Sequence, residues 1–102
     1  MRVVALVGDL LDRSKIAAAL PDAAFASTPE ECADADTVVI DVKAHPEAVA
    51  AVRELVPAAR VVVYGRHDNP EALAAATSAG AAIALPRSRF FHDPAAAIRG
   101  DE

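Results

Sequence analysis

The stretch Thr37-Val38-Val39-Ile40-Asp41 places three bulky apolar side chains in a row, directly before a carboxylate. Three other stretches share this short, continuous apolar character, namely Val3 to Val7, Arg60 to Tyr64 and Ala81 to Leu85. Residues 23–26 (AAFA) form a weaker fifth stretch. Because none of these segments alternates apolar with polar residues, we expect strands that are covered on both faces, as in a mostly parallel sheet.

Helix-start signals separate the five predicted strands. They are Asp9, Thr28-Pro29, His45-Pro46, Asn69-Pro70 and Asp93-Pro94, and in the last four a polar residue precedes a proline that suits the first helical turn. Such alternation predicts a three-layer α/β fold with a doubly wound sheet. We expect five parallel strands in the flavodoxin-like order 2-1-3-4-5, in one domain over residues 1–102, with the second helix the shortest.

Length and composition fit one folded, alanine-rich domain. The chain has 102 residues, a formal net charge of −5, 54% hydrophobic residues and 25% charged residues. The acidic balance argues against a nucleic-acid partner, which needs a basic surface that neutralises phosphates. The apolar runs are far shorter than the ~20 residues of a membrane span, and Gly8 and Asp9 end the first run too early for a signal peptide. We therefore expect a cytoplasmic protein with no membrane partner.

Polar residues follow the predicted strands at their carboxyl ends, where folds of this kind place their functional sites. They are Gly8, Asp9, Asp12, Asp41, Lys43, His45, Gly65, Arg66, His67, Asp68, Arg87, Ser88, Arg89 and His92. Asp9 and Asp41 follow strands 1 and 3, which flank the topological switch point, so we expect their carboxylates to face one crevice. Two such oxygen ligands suit Mg²⁺, and one carboxylate could also act as a nucleophile toward phosphorus.

Over essentially its whole length the chain resembles the receiver domains of bacterial response regulators. Asp41 ends the third strand, as that family's phosphate-accepting aspartate does. Gly65 and Arg87 have the separation of the family's hydroxyl residue and lysine, and residues 79–87 (AGAAIALPR) are similar to the family's Ala-Gly-Ala-Asp, apolar strand and Lys. The resemblance implies a signalling domain that works through a protein partner.

The departures from the family pattern fall on the residues that handle phosphate. Gly8 stands in place of the first acid of the family's acidic pair, which leaves Asp9 alone. Gly65 replaces the hydroxyl residue, and Arg87 replaces the lysine with a planar fork that is not equivalent to an ammonium. We expect Arg87 to point toward Asp41 and to take the place of a metal there. The chain therefore resembles a shortened, degenerate pseudo-receiver.

Three functional hypotheses follow. The first is a receiver-like regulatory module that acts by protein–protein interaction without phosphotransfer and without a cofactor. The second is a working single-domain response regulator in which Asp41 accepts phosphate and Asp9 and Asp41 hold Mg²⁺. The third is a small anion- or phosphate-binding protein or enzyme that uses Lys43, Arg66 and Arg87. Enzymatic activity stays open, although the first hypothesis does not require it.

Two further groups of residues carry expectations. The sequence leaves open whether His45, His67 and His92 converge with Asp41 on a transition metal. Phe90 and Phe91 follow a polar stretch that includes Arg89, and these three residues are a candidate interaction surface. The alternative is that one ring fills the core and the other covers the last helix. In receivers the face made by the fourth helix, the fifth strand and the fifth helix is the usual docking and dimerisation face, so the resemblance implies a homodimer through it.

Overall fold

A computed structural model describes residues 1–100 and contains the predicted sheet. Its five strands are β1 (Val3–Leu6), β2 (Ala24–Phe25), β3 (Thr37–Asp41), β4 (Arg60–Gly65) and β5 (Ile83–Pro86). They lie in the order β2-β1-β3-β4-β5, and every neighbouring pair is parallel. The α/β, flavodoxin-like fold with strand order 2-1-3-4-5 is therefore confirmed.

The central strands are apolar on both faces because each face is covered by its own core. Val38 and Ile40 pack with Val61 and Val63 on one face, whereas Val39 packs with the side chains of the other face. The five valines of β3 and β4, at positions 38, 39, 61, 62 and 63, are almost fully buried, as predicted. Burial of this kind stabilises the fold by roughly 25 cal/mol per Å² of apolar surface removed from water.

Within residues 1–100, five α-helices and one short 3₁₀ helix cover the sheet. They are α1 (Leu10–Ala19), the 3₁₀ helix η1 (Pro29–Cys32), α2 (Ala48–Leu55), α3 (Pro70–Ser78), α4 (Arg87–His92) and α5 (Pro94–Arg99). The core that contains Val38 receives η1, α2 and α3, whereas the opposite core receives α1, α4 and α5. As expected, the second helix is reduced to a single short element. No helix among residues 1–100 is both long and apolar enough to cross a membrane.

Side-chain caps fix most of the helix starts that the sequence predicts. The carboxylates of Asp9 and Asp93 and the amide oxygen of Asn69 each accept a hydrogen bond from the backbone N–H three residues later. Each cap satisfies an N–H group that has no partner within its own helix. The start of α2 is different, because His45-Pro46 forms a turn and the helix begins only at Ala48.

Helix α4 is the element that the sequence interpretation missed. Arg87, Ser88 and Arg89 were expected in a polar loop, but the chain turns directly from β5 into this six-residue helix. The reason is tertiary, since helical geometry brings Phe90 into the core, where it is fully buried. The spacing of Arg87, Phe90 and Phe91 at i, i+3 and i+4 is the signal that could have revealed it.

A matched pair of leucine truncations tests this division between core and surface. Leu6 in β1 is fully buried, whereas Leu10 at the start of α1 is 77% exposed. Leu6→Ala should lower the free energy of unfolding by about 2 to 5 kcal/mol, because it removes buried methyl groups and leaves a cavity. Leu10→Ala should change it by less than about 0.5 kcal/mol. Urea unfolding followed by circular dichroism measures both, and equal losses would contradict the proposed core.

Candidate functional site

The strand-end crevice is the main concave feature at the carboxyl edge of the sheet. It has a volume of about 610 Å³ and is lined by Asp9, Asp12, Lys15, Asp41, Lys43, Arg66, His67, Arg87, Ser88 and Phe91. All but two of these residues, Lys15 and Phe91, are among the polar strand-end residues that the sequence singles out. The parallel sheet brings them together because every strand ends at this edge.

Asp9 and Asp41 both line the crevice, as their positions after β1 and β3 predict. Each of the two carboxylates accepts a hydrogen bond from the nearby backbone. Asp9 Oδ1 accepts from the backbone N–H of Asp12 at 3.0 Å, and Asp41 Oδ1 accepts from the backbone N–H of Lys43 at 3.1 Å. Asp9 is exposed, whereas Asp41 is 8% exposed at the end of its buried strand. The two carboxylates therefore also stabilise local backbone, one as a helix cap and the other in a turn.

Arg87 does not form its ion pair with Asp41, and the expectation that it would do so is wrong. Its Nη1 donates to Asp12 Oδ2 at 2.7 Å, and its Nη2 donates to Asp12 Oδ1 at 2.8 Å. The geometric reason is that Asp12 lies in the first turn of α1, on the same inward face as Ile16. Asp12 is only 2% exposed, so its charge needs a partner inside the protein, and the fork of Arg87 matches both oxygens.

Tyr64 supplies a third hydrogen bond to the Asp12 carboxylate. Its hydroxyl donates to Asp12 Oδ2 at 2.9 Å, and the tyrosine is fully buried. Its ring stacks on Phe90 with the centroids 4.7 Å apart and meets Phe91 edge-on at 4.9 Å. The Arg87 guanidinium carbon lies 5.5 Å from the centre of the Tyr64 ring and 5.1 Å from that of Phe91, within the range of cation–π attraction.

The pKa shifts follow from these contacts. The hydrogen bonds from Arg87 hold the pKa of Asp12 below its ordinary value of 3.8, against the opposing effect of burial. The same hydrogen bonds raise the pKa of Arg87. Burial raises the pKa of Tyr64, and the charge of Asp41 adds to that effect. At neutral pH the network therefore consists of a carboxylate, a guanidinium and a neutral phenol.

Among the crevice carboxylates, Asp9 and Asp41 are the ones that could hold the Mg²⁺ that the resemblance implies. Both oxygens of Asp12 are taken by Arg87 and Tyr64, whereas Asp9 and Asp41 each accept a backbone hydrogen bond through one oxygen, Oδ1. Within residues 1–100, no group of three or more His, Cys, Asp and Glu side chains is arranged to hold a metal ion. Mg²⁺ commonly binds through one or two carboxylates and keeps several waters, so these two side chains could hold it with water in the remaining positions.

The two glycines at departures from the family pattern have different surroundings. A Cβ atom added to Gly65 would lie 2.7 Å from Val42 Cγ1 and 3.2 Å from Leu73 Cδ2, so the core already fills the space that a side chain would need. A Cβ atom added to Gly8 would meet nothing within 4 Å. Val42 is buried and β-branched, which restricts its freedom to move aside. A hydroxyl residue at position 65 would therefore require Val42 to move, whereas an acid at position 8 has room.

The three predicted anion-binding residues all line the crevice, but two of them are already engaged. Arg66 donates to both oxygens of Asp68 at 2.9 and 2.7 Å, and Arg87 is held by Asp12. Lys43 is exposed. The Arg66 pair is open to water, where ion pairs contribute little to stability, so an anion could compete for that arginine more readily than for Arg87.

The three histidines do not converge. His67 lines the crevice, whereas His45 lies in a separate cleft beside Pro46, and His92 lies in another beside Arg89. The sequence left this point open because even spacing along the chain says nothing about spatial distance. A shared transition-metal site made by the three histidines with Asp41 is therefore excluded by their placement.

The predicted interaction surface is only partly at the surface. Phe90 is fully buried against Tyr64, so its assignment to that surface is wrong, because its ring is needed to fill the core. Phe91 is half-buried and lies between two cations, and Arg89 is exposed. The large apolar side chains that do face solvent near the crevice are Leu10 and Leu11, which are 77% and 73% exposed.

Sequence reasoning placed Asp12 at the crevice but gave it no role, and it did not single out Tyr64. A signal for Asp12 exists, since it stands four residues before Ile16 and so shares the inward face of α1. A buried aspartate on such a face requires a donor, and burying a charge without one is very unfavourable. Which donor supplies the bond depends on how α4 packs, which is not visible in local sequence.

Comparison with known proteins identifies the fold. No family model and no curated protein sequence matches the chain. The structure is similar to that of a response regulator receiver domain protein from Clostridium thermocellum, with a TM-score of 0.80, 17% sequence identity, and coverage of 97% of this chain and 91% of the other.

A second similar structure is that of a Burkholderia pseudomallei response regulator protein with a phosphorylated aspartic acid, calcium ion and citrate. The TM-score is 0.79 at 14% identity, and the match covers 95% of this chain but only 65% of the longer one. Identities at this level establish the fold alone. The chain therefore has the receiver-domain fold, as the resemblance implies.

The Asp12 ion pair predicts how stability depends on pH. The pKa of Asp12 is below 3.8 in the folded protein, so its contribution is complete above that value and is lost as the pH falls through the lower folded pKa. Asp12→Asn should therefore flatten the acid limb of the stability curve. Asp34→Asn is a matched control, because Asp34 pairs with Arg2 at an exposed site. Thermal unfolding between about pH 2 and 7 measures the difference, and identical acid limbs in Asp12→Asn and the wild type would contradict it.

Proposed function

We propose that the protein is a receiver-like regulatory module that acts by protein–protein interaction without phosphotransfer. The observation that carries the proposal is the Arg87–Asp12 pair, in which the family's lysine position is occupied by a guanidinium already bound to a buried carboxylate. The receiver fold supports a role in signalling. The chemistry at the strand ends supports a role that does not depend on a phosphorylated aspartate.

Phosphoryl transfer to a carboxylate depends mainly on positioning and charge neutralisation. Here Arg87 is turned toward Asp12, Gly65 offers no hydroxyl, and Gly8 supplies no acid. Losing one preorganised donor commonly removes about 3 kcal/mol of transition-state stabilisation. Two such losses would slow the step by several powers of ten.

The alternative is a working response regulator in which Asp41 accepts phosphate with Mg²⁺ bound to Asp9 and Asp41. Both carboxylates line the same crevice, which favours it to that extent. The binding of an anion by Lys43 and Arg66 is a second alternative, since both line the crevice and Lys43 is exposed.

For the leading function no cofactor is needed, and we propose a cytoplasmic location.

Incubation with Mg²⁺ and acetyl phosphate should leave the protein unmodified, because Asp41 lacks the partners that phosphotransfer requires. Intact-mass spectrometry measures the outcome, with an active receiver domain treated in parallel as the positive control. A stoichiometric phosphate adduct that is absent from Asp41→Asn would establish the alternative instead. Beryllofluoride binding followed by NMR provides a second measurement, and we expect no shift of the Asp41 amide signal.

The partner that we propose is a second copy of the chain, bound through the face formed by α3, β5 and α5. This face corresponds to the one that receivers commonly use. Strand β5 is an edge strand, so its outer backbone groups are not paired within the sheet. Ala74 and Ala75 of α3 are exposed, and Ile83 and Ala84 of β5 are half-buried. Small side chains of this kind allow a second copy to approach closely.

Exposed alanines allow a matched test of this interface. Ala75→Arg on α3 should shift the protein from dimer to monomer, because a charged side chain would be forced into the contact. Ala50→Arg on α2 places the same change on a helix outside the proposed face, because α2 packs against η1, β3 and β4, and it should leave the dimer intact. Sedimentation velocity over a range of concentrations measures both. A monomeric wild type, or a dimer abolished by Leu10→Ser with Leu11→Ser and not by Ala75→Arg, would reject this face.

A further inference from the structure

We propose that Arg87 is a built-in cation that closes Asp12 to divalent metals and locks α4 against α1 and β4. The proposal extends the proposed function, since it concerns the same crevice. Its tests measure cation binding and the position of α4, and they do not involve phosphate.

The Asp12 carboxylate is saturated by hydrogen bonds. Its two oxygens accept three of them, two from the Arg87 fork at 2.7 and 2.8 Å and one from the Tyr64 hydroxyl at 2.9 Å. The side chain is 2% exposed, so water contributes almost nothing to its solvation. A metal at Asp12 would have to displace a bidentate guanidinium, and Mg²⁺ in addition gives up its own water reluctantly.

The guanidinium of Arg87 contacts both a carboxylate and two aromatic rings. The Arg87 carbon lies 5.1 Å from the centre of the Phe91 ring and 5.5 Å from that of Tyr64, while Asp12 binds the two terminal nitrogens. A planar, weakly hydrated cation can stack on rings and form a forked bond at the same time. A compact ammonium can approach a ring or a carboxylate, but it lacks the planar fork that reaches both carboxylate oxygens while the cation lies against two rings. The site is therefore specific for a guanidinium and not merely for positive charge.

The Asp12–Arg87 pair and Tyr64 join three secondary-structure elements. Asp12 belongs to the first turn of α1, Tyr64 to β4, and Arg87 is the first residue of α4. The same helix carries Phe90, which stacks on the Tyr64 ring. Because α4 has only six residues, its position depends on these contacts more than on its own hydrogen bonds. Loss of the fork should therefore release α4 before it disturbs the central strands.

Metal binding at Asp12 is the first test. In the double variant Asp9→Asn with Asp41→Asn, Asp12 is the carboxylate that remains among the three that line the crevice. Mg²⁺ or Mn²⁺ should not raise the melting temperature of this variant, and Mn²⁺ should not selectively broaden the amide NMR signal of Asp12. Stabilisation by either metal, or selective broadening at Asp12, would overturn the proposal.

Chemical rescue is the second test. Arg87→Ala should lower the melting temperature and shift the amide signals of residues 87–92. Methylguanidinium at low millimolar concentration should restore roughly half or more of the loss, because a ligand that binds only the folded state stabilises it. Methylammonium and Mg²⁺ should not restore it. The double variant Asp12→Asn with Arg87→Ala removes the anion, so methylguanidinium should have no effect on it.

The remaining outcomes of the rescue experiment also test the lock. If Arg87→Ala does not fold alone, circular dichroism should show refolding on addition of methylguanidinium, and no refolding would count against the proposal. Arg87→Lys keeps the charge but loses the fork, and it should resemble Arg87→Ala. A fully stable Arg87→Lys with unchanged α4 signals, or equal rescue of the single and double variants, would overturn the guanidinium-specific lock. None of these measurements depends on phosphorylation, so failure of the lock and failure of the proposed function can be told apart.

Discussion

A carboxylate that is almost completely removed from water determines the chemistry of this protein. Asp12 is held in that position by α1, and an unpaired charge there would cost far more than a domain of this size can tolerate. The guanidinium of Arg87 and the hydroxyl of Tyr64 supply the compensation. Because these three groups come from α1, β4 and α4, the pairing ties the edge of the sheet to both helices. The crevice therefore has a fixed internal charge pattern before any ligand is considered.

The sheet imposes a second constraint, since both of its faces must be covered. Alternate residues of β3 and β4 enter opposite cores, so a continuous valine run is the natural sequence for these strands. The dense packing extends to the ends of the strands. Val42 and Leu73 close over Gly65, and the aromatic group of Tyr64, Phe90 and Phe91 fills the space beneath Arg87. At these two places the core is packed up to the edge of the crevice.

The structural similarity to receivers covers nearly the whole chain at 14 to 17% identity, which establishes the fold. A fold provides the edge at which side chains meet, and the side chains decide what is done there. Here Asp9 and Asp41 line the crevice, and Asp12 is paired with Arg87.

The sequence by itself determined the strands, their parallel order, the main helix caps and the meeting of Asp9 and Asp41 at one crevice. These features depend on local patterns, such as the valine run at residues 37–41 or Asn69-Pro70, and on the chirality of crossovers. Only the tertiary structure decided that Arg87 pairs with Asp12, that Phe90 is buried, and that the histidines lie apart. The physical reason is that each of these outcomes depends on distances between residues far apart in the chain, down to the placement of one six-residue helix whose position comes from packing and not from propensity.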